Sequence, residues 1–165
     1  MTRRVFLFAL FVLLSGSAIA QQSESPIDGV WRITSVTTTG ANAATNKSPQ
    51  PSLLIVARGH YSWINVNGTT ARKQRAAAAT PGKLTDAEKI AAYDEWALFT
   101  ANAGTFEIKG STLTRRPTVA KNVGAMSGTN PIVQEFKIDG STLTLTGPAP
   151  GDPKGQTRLT LTRVR

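Results

Sequence analysis

The chain has 165 residues, no cysteine, one histidine, and 19 basic against 10 acidic residues. Without cysteine there are no disulfides, thiol nucleophiles or thiolate metal centres, and a lone histidine rules out a multi-histidine zinc site, so no metal centre is expected. The length suits one domain with a single core, and the basic balance fits either anionic partners or a plain cationic surface.

The chain opens with a targeting pattern. Arg3 and Arg4 precede an apolar run from Val5 to Leu14, and Ala18-Ile19-Ala20 forms a small-x-small site that predicts cleavage between Ala20 and Gln21. The run is too short to anchor the chain across a bilayer, so a periplasmic or secreted protein with no membrane span in its mature form is expected. Removing residues 1–20 leaves 17 basic and 10 acidic residues, a formal charge of +7. Residues 21–28 form a short N-terminal segment, and 29–165 form the folded domain.

Alternating apolar and polar residues predict strands at 29–39, 52–57 and 60–66. Thr85 with Glu88 forms a capping box, and Ala87, Ile90, Ala91, Trp96, Ala97 and Phe99 supply the apolar positions of a helix over 86–99. Strands at 104–108, 112–119, 131–138, 142–146 and 157–164 bring the total to eight strands and one helix.

Tight turns at Arg58-Gly59, Lys109-Gly110 and Asp139-Gly140 alternate with long connections at 39–51, 67–103, 120–130 and 147–156. In an antiparallel up-and-down sheet this sends every tight turn to one end and every long loop to the other, making a cup. Phe106-Glu107-Ile108-Lys109-Gly110-Ser111-Thr112-Leu113-Thr114 recurs at 136–144 with only its two charged positions changed. A reused hairpin fits such a meander. Around the expected rim, Lys47, Arg72, Lys73, Arg75, Lys83, Lys121 and Lys154 face only Asp152, a basic surplus suited to anionic amphiphiles.

Candidate interior residues follow from parity. If Trp31 points inward, so do Ile33, Ser35 and Thr37, and on the third strand Tyr61, Trp63 and Asn65 share one face. In the repeat Arg115 stands where the second copy has Leu145, on the face that should be apolar. A guanidinium there needs a partner. Three outcomes are open: a ligand carboxylate, pairing with Glu107 or Glu135, or a bulge before Pro117 that turns Arg115 outward. Tyr61, Trp63, Asn65, Arg115 and Phe136 form the candidate ligand-binding set. His60 follows a turn at the closed end and is read as a surface histidine. No catalytic residue is assigned, no cofactor is expected, and the basic loops lack the interleaved aromatics of a nucleic-acid platform.

Gly29-Val30-Trp31 opens the first strand and Leu161-Thr162-Arg163 closes the last. With eight strands and an exported chain, these residues resemble the lipocalin-like domain of bacterial proteins, within the calycin group. The resemblance implies an all-β, eight-stranded antiparallel up-and-down barrel of lipocalin-like type, with the helix between strands 3 and 4. It also implies a structural base in which Arg163 packs across Trp31 beside Gly29. Parity allows that contact independently, because Leu159, Leu161 and Arg163 share a face and the last strand ends beside the start of the first. Three functions compete. The first is binding of a small apolar or amphipathic molecule, with an anionic head group as one option. The second is a cofactor-free cyclase or isomerase, and the third a filled barrel acting as an envelope or protein interaction module. Oligomeric state is left open.

Overall fold

The computed structural model describes residues 24–72, 77, 82–126 and 128–164. The predicted signal peptide, with its cleavage site, and the rim residues Lys73 and Arg75 lie outside them.

The strands are β1 (Gly29–Thr38), β2 (Ala44–Asn46), β3 (Ser52–Ala57), β4 (His60–Val66), β5 (Phe99–Lys109), β6 (Thr112–Ala120), β7 (Ile132–Asp139), β8 (Thr142–Ala149) and β9 (Asp152–Arg163). One α-helix, α1 (Asp86–Ala97), joins β4 to β5. Each strand from β3 to β9 pairs antiparallel with the next, β1 pairs with β3, and β1 with β9 closes the ring. The result is the expected eight-stranded up-and-down barrel with one helix. Its wall strands are β1 and β3 to β9, so α1 sits between the third and fourth of them. β2 is an addition to the expected set. It pairs with Val36 to Thr38 of β1, above the stretch that β3 covers.

The closed end is built from two-residue turns. Arg58 and Gly59 both have positive φ, as a type I′ turn requires, whereas Gly110-Ser111 and Gly140-Ser141 each lead with a positive-φ glycine. Both copies of the repeat form the predicted hairpin. Phe106 stands opposite Arg115 in one and Phe136 opposite Leu145 in the other.

Four expectations need correction. The 147–156 connection is not a long loop: β8 and β9 continue to a tight turn at Pro150-Gly151, with Ala149 paired to Asp152. β5 begins at Phe99 rather than Gly104, so the helix ends earlier and the barrel wall is taller. Third, the parity of β1 flips at a bulge between Ile33 and Ser35, where Thr34 is the extra residue against β9. Trp31 and Ile33 face inward as expected, but Val36 and Thr38, not Ser35 and Thr37, line the cavity above them. Finally, the apolar positions of α1 do not enter the core: no helix residue is buried, and Ile90, Tyr93 and Trp96 are exposed. The capping box does form, with Thr85 Oγ1 accepting from Glu88 N and Glu88 Oε2 accepting from Thr85 N. The C-terminal end is held by Lys121, whose Nζ donates to the carbonyls of Trp96, Ala97 and Phe99.

The core fills the lower half of the barrel. Trp31, Leu54, Val56, Tyr61, Leu113, Leu143, Leu145 and Leu161 are buried there, together with Ile27 from the segment ahead of β1. Trp31 anchors the base, donating its indole N–H to Ile27 O at 2.8 Å. The Arg163 guanidinium lies 4.1 Å from the Trp31 ring centroid and donates to Asp28 O at 2.6 Å. The glycine of the G-x-W pattern has a physical reason here. Gly29 has φ +137°, and a Cβ on it would sit 2.1 Å from Arg163 Nη1.

Candidate ligand cavity

Above this core the barrel opens into a cavity of about 450 Å³. Its walls include Ile33, Val36, Ile132 and Leu159 as apolar surface, and Trp63, Asn65, Asn102 and Arg115 at its inner end. The polar floor follows from strand pairing. Trp63 of β4 stands directly opposite Asn102 of β5, and Asn65 opposite Thr100, so the early start of β5 sets a second row of polar side chains beside the β4 row.

Arg115 is the main charged feature of this site. It is only 5% exposed, against 0% for Leu145 at the equivalent repeat position, so the chain stays inward at both. Its guanidinium lies 4.6 Å from the Trp63 ring centroid and 5.2 Å from that of Tyr61. Nη2 donates to Gln134 Oε1 at 2.8 Å, while Nε and Nη1 are buried without an acceptor. The alternatives weighed from the sequence resolve clearly. Glu107 pairs instead with Lys109 and Arg116, and Glu135 lies on the exposed face of β7. A bulge does occur in β6, but it falls between Pro117 and Val119, opposite Ala103 and Gly104, and leaves Arg115 inward.

Burial without a carboxylate lowers the Arg115 pKa from the usual guanidinium range to about 10. Desolvation is the cause: water is removed from the cation, and two aromatic faces and one neutral amide replace it only in part. Tyr61 is shifted upward, chiefly because burial disfavours its phenolate, with the nearby Arg115 charge opposing. At neutral pH the pair is therefore a neutral phenol beside a charged guanidinium.

A hydrogen-bonded ladder runs from this point to the mouth. Trp63 Nε1 donates to Asn65 Oδ1 at 2.6 Å, Asn65 Nδ2 to Asn67 Oδ1 at 2.8 Å, and Asn67 Nδ2 to Thr100 Oγ1 at 2.9 Å. Tyr61 OH donates to Asn102 Oδ1 at 2.8 Å.

No protein-family model matches this sequence, and no curated protein sequence is significantly similar to it. Structure and chemistry therefore carry the functional reading.

Of the residues singled out from sequence, Trp63, Asn65 and Arg115 meet at the cavity, and Tyr61 lies beneath it against Arg115. Phe136 is elsewhere: it packs against the core lower down, across from Leu145. His60 is exposed, with Nδ1 3.0 Å from Arg58 O. Sequence reasoning missed Asn102 and Gln134. Both were within reach of parity, since Asn102 continues the inward series of Phe106 and Gly104, and Gln134 that of Phe136 and Ile138.

The rim also differs from expectation. α1 brings Asp86, Glu88, Asp94 and Glu95 to the same end as the basic loops, Arg72 is 3.4 Å from Glu95, and Lys121 donates to the helix carbonyls of Trp96 and Ala97. Among the described residues the basic surplus at the rim is therefore largely offset, and Arg115 is the one charged side chain lining the cavity.

Proposed function

We propose that the protein is an exported lipocalin-like barrel that binds a small, mainly apolar carboxylate or similar anion in its cavity, without chemical change. The reading rests on one observation, the inward guanidinium of Arg115 with two nitrogens lacking acceptors. Such a group is costly in an empty barrel and becomes an asset when an anion arrives, because charge-assisted hydrogen bonds are strong where water is excluded. The apolar walls supply the remaining affinity at roughly 25 cal/mol per Å² of ligand surface buried. Export is proposed from residues 1–20, and membership of the bacterial lipocalin-like group from the barrel topology together with the Gly29, Trp31 and Arg163 base.

Denaturing mass spectrometry of protein purified from the exported fraction, followed by calorimetric titration with carboxylates, tests this reading. A stoichiometric acidic compound released on denaturation is the expected result. Arg115→Met should weaken carboxylates about 10- to 100-fold, the scale of losing one charged pair, while neutral analogues change little. Trp63→Ala should weaken both kinds. Equal carboxylate affinity in wild type and Arg115→Met overturns the assignment. Turnover of the bound compound would replace it with the isomerase reading.

A further inference from the structure

The polarity of the cavity's hydrogen-bonding groups defines its ligand more narrowly. An indole N–H can only donate, so the atom of Asn65 that meets Trp63 Nε1 is its carbonyl oxygen. That fixes every later rung: the Asn65 amide nitrogen meets the Asn67 oxygen, and the Asn67 nitrogen meets Thr100. The same logic applies beside it. The buried Tyr61 hydroxyl has no other acceptor, so Asn102 turns its oxygen to Tyr61 and keeps its NH₂ group free.

The inner end of the cavity is thus lined by donors. Asn102 offers both hydrogens of Nδ2 and Asn65 the second hydrogen of its own Nδ2, and just behind the cavity surface Arg115 keeps Nε and Nη1 without acceptors. Among the described residues lining the cavity there is no aspartate or glutamate. An alkyl chain beside Asn102 would strand these donors, and a buried donor without an acceptor is unfavourable.

Resting on the carboxylate reading above, we infer that the ligand is an oxygenated carboxylate, with a carbonyl or ether oxygen a few bonds from the acid group, rather than a plain fatty or aryl-alkyl acid. The carboxylate meets Arg115 beside the Trp63 ring, which lines the cavity with it. The second oxygen accepts from Asn102 Nδ2. Because Trp63 stands opposite Asn102 across the β4–β5 pair, both contacts fall within one compact molecule.

A matched pair of probes tests the inference: 4-phenylbutanoate and 4-oxo-4-phenylbutanoate, titrated calorimetrically into the full mature protein, with 4-phenylbutanamide as the uncharged control. The oxo acid should bind about tenfold more tightly than its deoxy partner although it is the better hydrated of the two, as expected of a site with unpaired donors. In the double variant Tyr61→Phe/Asn102→Leu, which removes both ends of one hydrogen bond and so leaves no orphan, that advantage should vanish while both acids still bind. Arg115→Met should weaken both acids alike. Equal affinities for the two acids, or an oxo preference that survives the double variant, overturn the inference and leave the carboxylate reading standing. No binding of either acid, or equal binding of the amide, overturns the carboxylate reading itself. Circular dichroism melting of the double variant separates a binding loss from a folding loss.

Discussion

Two arginines in this barrel lie across tryptophan faces, and only one of them is satisfied. At the base, Arg163 is 4.1 Å from the Trp31 centroid and donates to a backbone carbonyl, with part of its surface still in water. At the cavity floor, Arg115 is 4.6 Å from the Trp63 centroid, more deeply buried, and short of acceptors. The contact is the same; the surroundings decide what it does. A cation–π contact with a carbonyl partner closes the barrel, whereas one with idle N–H groups leaves a buried charge only partly satisfied.

Substitution of the two tryptophans separates these roles most sharply. Trp31 is fully buried, and Trp31→Ala should cost about 3–5 kcal/mol in denaturant unfolding, the range for a large aromatic removed from a packed core. Trp63 borders the cavity, so Trp63→Ala should cost less stability and abolish ligand-induced fluorescence change. Equal losses from both would erase the distinction between base and floor. Gly29→Ala comes next, at about 2–3 kcal/mol, because a side chain there meets Arg163 and sits at an unfavourable φ. Combining it with Arg163→Ala should recover part of the loss, since the steric half of the penalty is gone.

Arg115→Met should go the other way. The folded state holds the pKa of this guanidinium at about 10, below its ordinary value, so it disfavours the charge at every pH below about 10. The penalty is present in full at neutral pH and is relieved only as pH rises through the folded pKa. Methionine removes the charge and keeps the volume, and the ligand-free protein should gain about 1–3 kcal/mol, a few degrees in melting temperature. Loss of stability in the ligand-free variant would mean that the aromatic contacts and Gln134 already satisfy Arg115.

The barrel was legible from sequence where local chemistry and the fold agree. Alternation in β3, β4 and β7, the glycine turns and the repeated hairpin all point one way. The misses share a cause, tertiary pairing that overrides local composition. Residues 147–153 carry three prolines and two glycines and read as a loop, yet they form a hairpin because β9 stays paired with β8 beyond Thr146, where the β7 ladder ends. Thr34 carries no sign of its bulge, and three-residue β2 is too short to alternate. At the candidate site, the inward position of Arg115 was readable through its repeat partner Leu145. Parity placed its acceptor Gln134 on the inward face as well, but not its pairing with Arg115, since β7 is paired to β6 over only four residue pairs.

The smallest expected effect lies at the mouth and again contrasts it with the base. Asp152 Oδ2 accepts from Ala41 N at 2.9 Å and Oδ1 from Lys154 N at 3.0 Å, tying the connection after β1 to the start of β9. These N–H groups favour the carboxylate, Ala41 foremost, and hold the Asp152 pKa below its usual 3.8. A lowered acid pKa stabilises the fold above the unfolded value and loses that contribution as pH falls through the folded one. The tie should therefore loosen only below about pH 4, and because Asp152 sits half-buried at the rim, outside the core, the global melting temperature should hardly move. Amide chemical shifts of Ala41 and Lys154 should titrate together in that window, while the Trp31 indole resonance at the base stays still. In Asp152→Asn they should be flat throughout. Titration of the Trp31 indole along with them would mean that base and mouth open as one unit, and the contrast between a fixed clasp and an adjustable rim would fail.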